Sequence, residues 1–439
     1  MRFRQVHAFS RDRGGNVAIV FALSLIPCVF LGGMALDFTQ AIAKRAQLNA
    51  AADAGAIAAV TTTMMAQSNA NAQTAASNAF NAVASTVTSI NSLTPSITIS
   101  NSGLTRTVTV SYTANSNNNF PNVLGLISRT SAPNWPISGS STATATTAPN
   151  IDFYLLLDNS PSMNIAATTA GINTMVANTS AQGGCAFACH ETNPSADNLG
   201  NPNGEDNYTL AQNLGVTTRI ENMAAAASAL MSTAASTEAS DNATYRMAIY
   251  TFNYNGINPI QTLTSNLTTA GNAAAGIDVL EVYDNNCLTT SNCNNDTDTD
   301  FDDAMSGING IMPTPGTGAS TSTPQEVLFL VSDGVEDDNT GACSETLDGT
   351  RCQAPFDTTW CTAVQARGIR IAVLYTAYLP LPTNSWYTTW ISSWQSQIAT
   401  NMQSCASPGL YFAITTNGDI TTAMQALFEQ AVSTARLSQ

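Results

Sequence analysis

Two short runs in this chain set a carboxylate beside hydroxyls: Asp158-Asn159-Ser160-Pro161-Ser162 and Ser332-Asp333-Gly334. The first is a D-x-S-x-S pattern. On a turn leaving a strand, such a pattern brings one carboxylate and two hydroxyls to a common point. An all-oxygen donor set suits a hard cation such as Mg²⁺, with Mn²⁺ or Ca²⁺ as the other candidates. Few protein charges at such a centre leave positions for water and for an acidic group from a partner. The plainer alternative is that Asp158 caps a helix and that Ser160 and Ser162 are ordinary helix-start residues. Position separates the two, because α/β sheets gather ligands beyond the carboxyl ends of their strands.

Both runs close an apolar stretch, IDFYLLLD (151–158) and EVLFLVSD (326–333). With YRMAIYTF (245–252), IRIAVLYT (369–376) and LYFAIT (410–415), these read as parallel strands covered on both faces. Helical patterns fall at 219–235, 301–312, 385–403 and 423–435, so residues 151–439 predict an α/β domain with a doubly wound, mainly parallel sheet. The segment 164–216 is long for a connection and rich in Asn, Gly and Pro. It reads as an insertion that either shapes partner choice or is a surface excursion stapled by disulfides. The Pro-, Ser- and Thr-rich stretch 133–150 marks the boundary before this domain. Ahead of it, SITIS (96–100) and RTVTVSYTA (106–114) predict a hairpin, and 141–148 a further strand. The Ala-rich run from Asp37 to Val83 predicts one continuous helix acting as a stalk. A long helix with a small sheet is a pilin-like layout, giving 37–150 as a helical stalk and small β region.

Residues 15–36 carry no charge, about the length needed to cross a bilayer core, and Arg2, Arg4, Arg11 and Arg13 precede them. The expectation is an uncleaved single-pass helix in a bacterial inner membrane, with residues 1–14 a cytoplasmic tail and the bulk periplasmic or surface-exposed. Cleavage after Gly32 or Ala35 is the alternative. Only 10% of residues are charged and the net charge is −16, which argues against nucleic acid as a partner. Cys28 lies in the apolar run, and the other eight cysteines form an even set that an oxidising compartment would pair. Proximity points to Cys287 with Cys293 and Cys343 with Cys352.

Residues 151–439, with their D-x-S-x-S run and VLFLVSDG, resemble a von Willebrand factor A domain bearing a metal-ion-dependent adhesion site. The resemblance implies that Asp158, Ser160, Ser162 and Asp333 ligate the cation. It also implies a Thr from a later loop, Thr299 ahead of Ala304 and Met305, with Thr297 the runner-up. Binding, completed by a partner's carboxylate, is what such sites imply. The segment RDRGGNVAIVFALSLIPCVFLGGMALDFTQAIAKRAQLNAAADAGAIAAV resembles the TadG-like proteins of tight-adherence (Flp) pilus systems, through its Gly-Asn-Val-Ala start, Asp37 and the Leu-Asn-Ala-Ala-Ala-Asp-Ala-Gly run. This implies a role in assembling, anchoring or displaying a pilus, with other assembly or envelope proteins as partners. The competing readings are a structural envelope anchor whose metal is incidental, and a metal-assisted hydrolase using Asp158 and Asp333.

Other clusters are weaker. CAFACH (185–190) has one residue too many between its cysteines for haem attachment, and a Cys185–Cys189 disulfide fits it better than zinc with His190. The acidic run Asp296, Asp298, Asp300, Asp302 and Asp303 lacks the Gly and closing Glu of an EF-hand. It either flanks the adhesion site and opens the next helix or forms a second Ca²⁺ site. No G-x-S-x-G elbow or phosphate loop is present, so a non-enzymatic role is expected.

Overall fold

The computed structural model describes residues 15–119, 134–192, 200–201, 204–282, 298–339, 343–382 and 385–435. The chain divides into two compact units, Met1–Thr147 and Ala148–Gln439.

In the first unit, helix α1 (Gly15–Ala58) is followed by a one-turn helix (Thr62–Met65) and α2 (Asn69–Ala84). The first half of α1 is long and apolar enough to cross a membrane, and its large side chains there, Val20, Phe21 and Leu23 among them, are exposed. Beyond Asp37 one side of the same helix is buried through Ala41, Leu48, Ala52 and Ala56. The expected continuous helix is therefore a correction: the chain breaks after Ala58 and α2 packs back on α1. Local chemistry favours the break. Val60 and three threonines follow, all β-branched, and Ser68 caps α2 by accepting the Asn71 N–H at 3.2 Å. Arg106 fastens the turn by donating to the carbonyls of Met64 (2.6 Å) and Gln67 (2.8 Å).

Strands β1 (Ile90–Ser102), β2 (Thr105–Asn117) and β3 (Asn134–Thr146) form an antiparallel sheet in that order. The expected hairpin and third strand are there, each longer than its sequence pattern. One face of β2, with Val108, Val110 and Tyr112, is buried in a core shared with α1 and α2. The other face carries Ser or Thr at every position of five successive rows, from Thr94, Thr113 and Ser138 to Ser102, Thr105 and Thr146, with Asn115, Asn117 and Pro136 beyond them.

The second unit is built on a six-stranded sheet ordered β11-β10-β7-β4-β5-β6. Its members are β4 (Ile151–Asp158), β5 (Tyr245–Asn253), β6 (Gly256–Thr264), β7 (Gln325–Ser332), β10 (Arg370–Thr376) and β11 (Tyr411–Ile414). All neighbours pair in parallel except β5 and β6. Every residue of β4 is buried, as a central strand covered on both faces requires. Helices α5 (Arg219–Asp241), α6 (Leu267–Ala274) and α10 (Ile420–Ala435) cover one face around Phe153, Phe329 and Phe428. Helices α7 (Phe301–Ile311), α8 (Thr359–Ala366) and α9 (Gln395–Cys405) cover the other around Phe252, Phe301 and Trp394. This is the expected doubly wound, mainly parallel α/β arrangement.

The insertion contains α3 (Thr169–Asn178) and α4 (Asn207–Asn213) and packs Met175, Tyr208 and Ala211 into the main core. Its described part is thus integral to the domain. A two-stranded ribbon, β8 (Val335–Asp338) with β9 (Cys352–Pro355), follows β7.

Candidate functional site

Strands β4 and β7 lie side by side, so their carboxyl ends deliver the two acidic runs to one place. Asp158 and Ser160 are fully buried and Asp333 is 1% exposed. The Ser160 N–H and hydroxyl both donate to Asp158 Oδ1, at 2.9 and 2.6 Å. Ser160 and Ser162 share a hydrogen bond of 3.1 Å between their hydroxyls, and the Val335 N–H donates to Asp333 Oδ1 at 3.4 Å. The motif does not cap a long helix. Ser160 precedes a four-residue 3₁₀ turn (Pro161–Asn164) and makes no capping bond to it, so the helix-start alternative for Asp158 is not what is built.

Two carboxylates within one dry pocket destabilise each other. Burial pushes Asp158 up to about 6, against the hydrogen bonds from Ser160 and Ser332. Burial, then the neighbouring Asp158 charge, pushes Asp333 up to about 7. Asp333 Oδ2 is buried with no hydrogen-bond partner. Leaving such an atom unsatisfied is costly, and a cation bound at that oxygen would remove the cost. The donor set of two carboxylates and two hydroxyls fits Mg²⁺.

Two residues support the site in roles the sequence reading did not assign. Ser332 donates to Asp158 Oδ2 at 2.6 Å and accepts the Gly334 N–H at 2.8 Å, fixing the carboxylate from the neighbouring strand. Arg219, 5% exposed at the start of α5, donates to the Ala377 carbonyl (2.7 Å) and is the positive charge that partly offsets Asp333. Gly334 is required where it stands. Its φ is +75°, and a Cβ there would lie 2.8 Å from both Ile398 Cγ2 and Met402 Cγ.

Thr299 is buried on the approach to α7, and its backbone exchanges both hydrogen bonds with Asp337 at 2.9 Å. Its hydroxyl takes no part in the hydrogen bonds that join the other four site residues. Thr297 lies outside the described residues. The rest of the acidic run divides by role: Asp300 caps α7 by accepting the Asp303 N–H at 2.8 Å, and Asp298 approaches Arg351 at 3.5 Å. Asp300 also joins Glu336 and Asp338 in a buried group whose carboxylate oxygens lie within 4.8 Å of one another, an arrangement that could hold a cation. The EF-hand comparison could not find it, since two of the three come from β8.

Cysteine pairing needs correcting in one place. Cys343 is bonded to Cys352 as expected and Cys361 to Cys405, while Cys287 and Cys293 lie outside the described residues. Cys185 and Cys189 are free thiols rather than a disulfide, and the Cys185 thiol donates to the Phe187 carbonyl at 3.6 Å. His190 is held by Asp206 at 2.9 Å, and both are committed to positioning the insertion.

Fold and site together define an α/β protein with a carboxylate–hydroxyl cluster at the carboxyl end of a doubly wound sheet, preceded by an apolar helix and a small antiparallel sheet. Residues 15–86 match the Flp pilus-assembly TadE/G-like family. Similar solved structures include the PilB minor pilin from Streptococcus sanguinis, at 10% identity over 78% of each chain with a TM-score of 0.33. The pilus adhesin SpaC from Lactobacillus rhamnosus GG is 11% identical, covering 78% of this chain and 34% of that one, with a TM-score of 0.34. The SpRpn10 VWA domain is 10% identical, covering 64% of this chain and 95% of that one, with a TM-score of 0.31. No curated protein matches the chain.

Proposed function

We propose that this protein is a membrane-anchored adhesion or assembly component of a tight-adherence (Flp) pilus system that captures an acidic group on a partner through a divalent cation, Mg²⁺ in the first instance. The anchor is residues 15–36, with the N-terminus cytoplasmic and the bulk of the chain outside the inner membrane. The cation is held by Asp158, Ser160, Ser162 and Asp333, with Thr299 reaching it from the α7 loop.

One observation carries the reading: two buried carboxylates and two hydroxyls converge where Asp333 Oδ2 has no partner. The role of each residue follows from its contacts. Asp158 is locked by Ser160 and Ser332, so it presents a fixed oxygen, while the serine hydroxyls are neutral, so that a bound dication is balanced by the two carboxylates alone. A bound cation supplies open coordination positions for a carboxylate. The described site has no histidine, and both oxygens of Asp158, the carboxylate beside the Ser160 hydroxyl, are already engaged by Ser160 and Ser332, so the arrangement favours binding over turnover. The match of residues 15–86 supports a role in pilus assembly.

The test is capture. Membranes solubilised in Mg²⁺ should yield the full chain with a partner whose retention is lost in EDTA and in Asp158→Ala. Retention that is indifferent to both would contradict metal-dependent capture and leave a scaffold.

A further inference from the structure

We propose that the hydroxyl-covered face of the three-stranded sheet is a binding surface for a neutral polysaccharide chain. The register gives five rows of three residues, from Thr94–Thr113–Ser138 to Ser102–Thr105–Thr146, and every position is Ser or Thr. The β1 and β3 positions and Thr113 are exposed, and Thr105, Thr107, Thr109 and Ser111 of central β2 are half-covered by their neighbours. All the apolar bulk of β2, and its one charge, Arg106, point the other way into the helix-packed core.

Solvent faces of sheets ordinarily carry mixed charge, and edge strands are commonly guarded by lysine. Here no row contains a charged or aromatic side chain, in a chain with 30 acidic and 14 basic residues. The array is also pre-ordered. Thr105 bonds Thr146 at 3.0 Å, Thr107 bonds Thr144 at 3.3 Å and Thr109 bonds Thr142 at 2.9 Å, while β-branching limits their rotamers. Hydroxyls therefore repeat about every 4.8 Å across strands and about every 6.8 Å along them.

Each hydroxyl donates one hydrogen bond and accepts two. A neutral face of this kind offers little to phosphate or nucleic acid, and its small methyls offer little to an apolar helix. It complements a partner that is uncharged and itself dense in donors and acceptors, which is the chemistry of a polysaccharide.

A second copy of the chain is the other candidate, but area disfavours it. Five rows across three strands cover about 450 Å² by strand spacing, well under the roughly 800 Å² per partner of a stable interface. A polymer escapes that limit, because successive sugars engage successive rows and each added contact is intramolecular.

The experiment is co-sedimentation of the full chain in detergent with insoluble cellulose and with chitin, with soluble dextran as competitor. Binding should resist high salt, and combined Thr98→Val, Thr109→Val and Thr142→Val should weaken it roughly tenfold or more through lost hydrogen bonds. These near-isosteric changes suit strands, and an unchanged circular dichroism spectrum confirms the fold. Thr109→Lys, which puts a charge at the centre of the array, should weaken binding as well. Failure to pellet with either polymer overturns the proposal, as does binding that survives the triple change or disappears in salt. Self-association abolished by the triple change, without polysaccharide binding, would assign the face to a second copy instead.

Discussion

Asp158 and Asp333 are the residues on which the account turns, and their environment gives them a pH signature. Both sit above the usual carboxylate range, at about 6 and about 7, chiefly through burial. A carboxylate raised in the folded state costs the cation-free protein nothing below its unfolded value. The cost grows as pH climbs through the folded value, because two buried charges must then form. A divalent cation offsets that cost, while protons compete with it at lower pH. The rise in melting temperature on adding Mg²⁺ should therefore be larger at pH 8 than at pH 5.5, and Asp333→Asn should remove the difference. Equal shifts at the two pH values would mean that these carboxylates do not hold the ion. Asp158, Ser160, Ser162 and Asp333 were legible in the sequence because a local motif and a strand end suffice to place them. The roles of Ser332 and Arg219 were not, since one acts through the register of β4 on β7 and the other through a helix packed from a distant stretch of chain.

The same division holds for elements. Long apolar runs announced β4, β5, β7 and β10, whose burial on both faces leaves little else for such sequences to do. Strand β6 escaped notice because Pro259 interrupts it, which an edge strand tolerates. The β8–β9 ribbon was invisible for another reason: four-residue strands owe their existence to tertiary ties, here the Cys343–Cys352 bond and Arg351. That guanidinium forms a buried two-toothed pair with Asp337, reaches Asp298 at 3.5 Å and lies 5.5 Å over the Trp386 ring. Asp337 in turn carries the backbone of Thr299, so the clamp sets the loop that leads into α7. Arg351→Ala should cost about 3–5 kcal/mol by stranding the buried Asp337 charge, measurable by urea unfolding of the detergent-solubilised protein. A loss under about 1 kcal/mol would show that the ribbon is held by its disulfide alone.

At the scale of the molecule, the chain joins a membrane-length helix and a hydroxyl-faced sheet to an α/β domain whose acidic site opens at the end of its strands. The anchor and the domain class could be read from composition and periodicity. The folding back of α2 could not, because alanine-rich sequence favours helix on either side of a break and only the threonine cluster and Ser68 hint at the turn. The insertion, too, looked detachable from its composition yet contributes Met175 and Tyr208 to the core. The central claim, that the second unit holds a divalent cation with which it binds, is tested most directly by calorimetric titration of Mg²⁺ and of Mn²⁺ into the full chain in detergent at pH 8, beside Asp158→Ala. Saturable one-site binding that the substitution abolishes is the predicted result. Equal heats from both proteins, or none from either, would contradict the metal site and leave the α/β domain a scaffold.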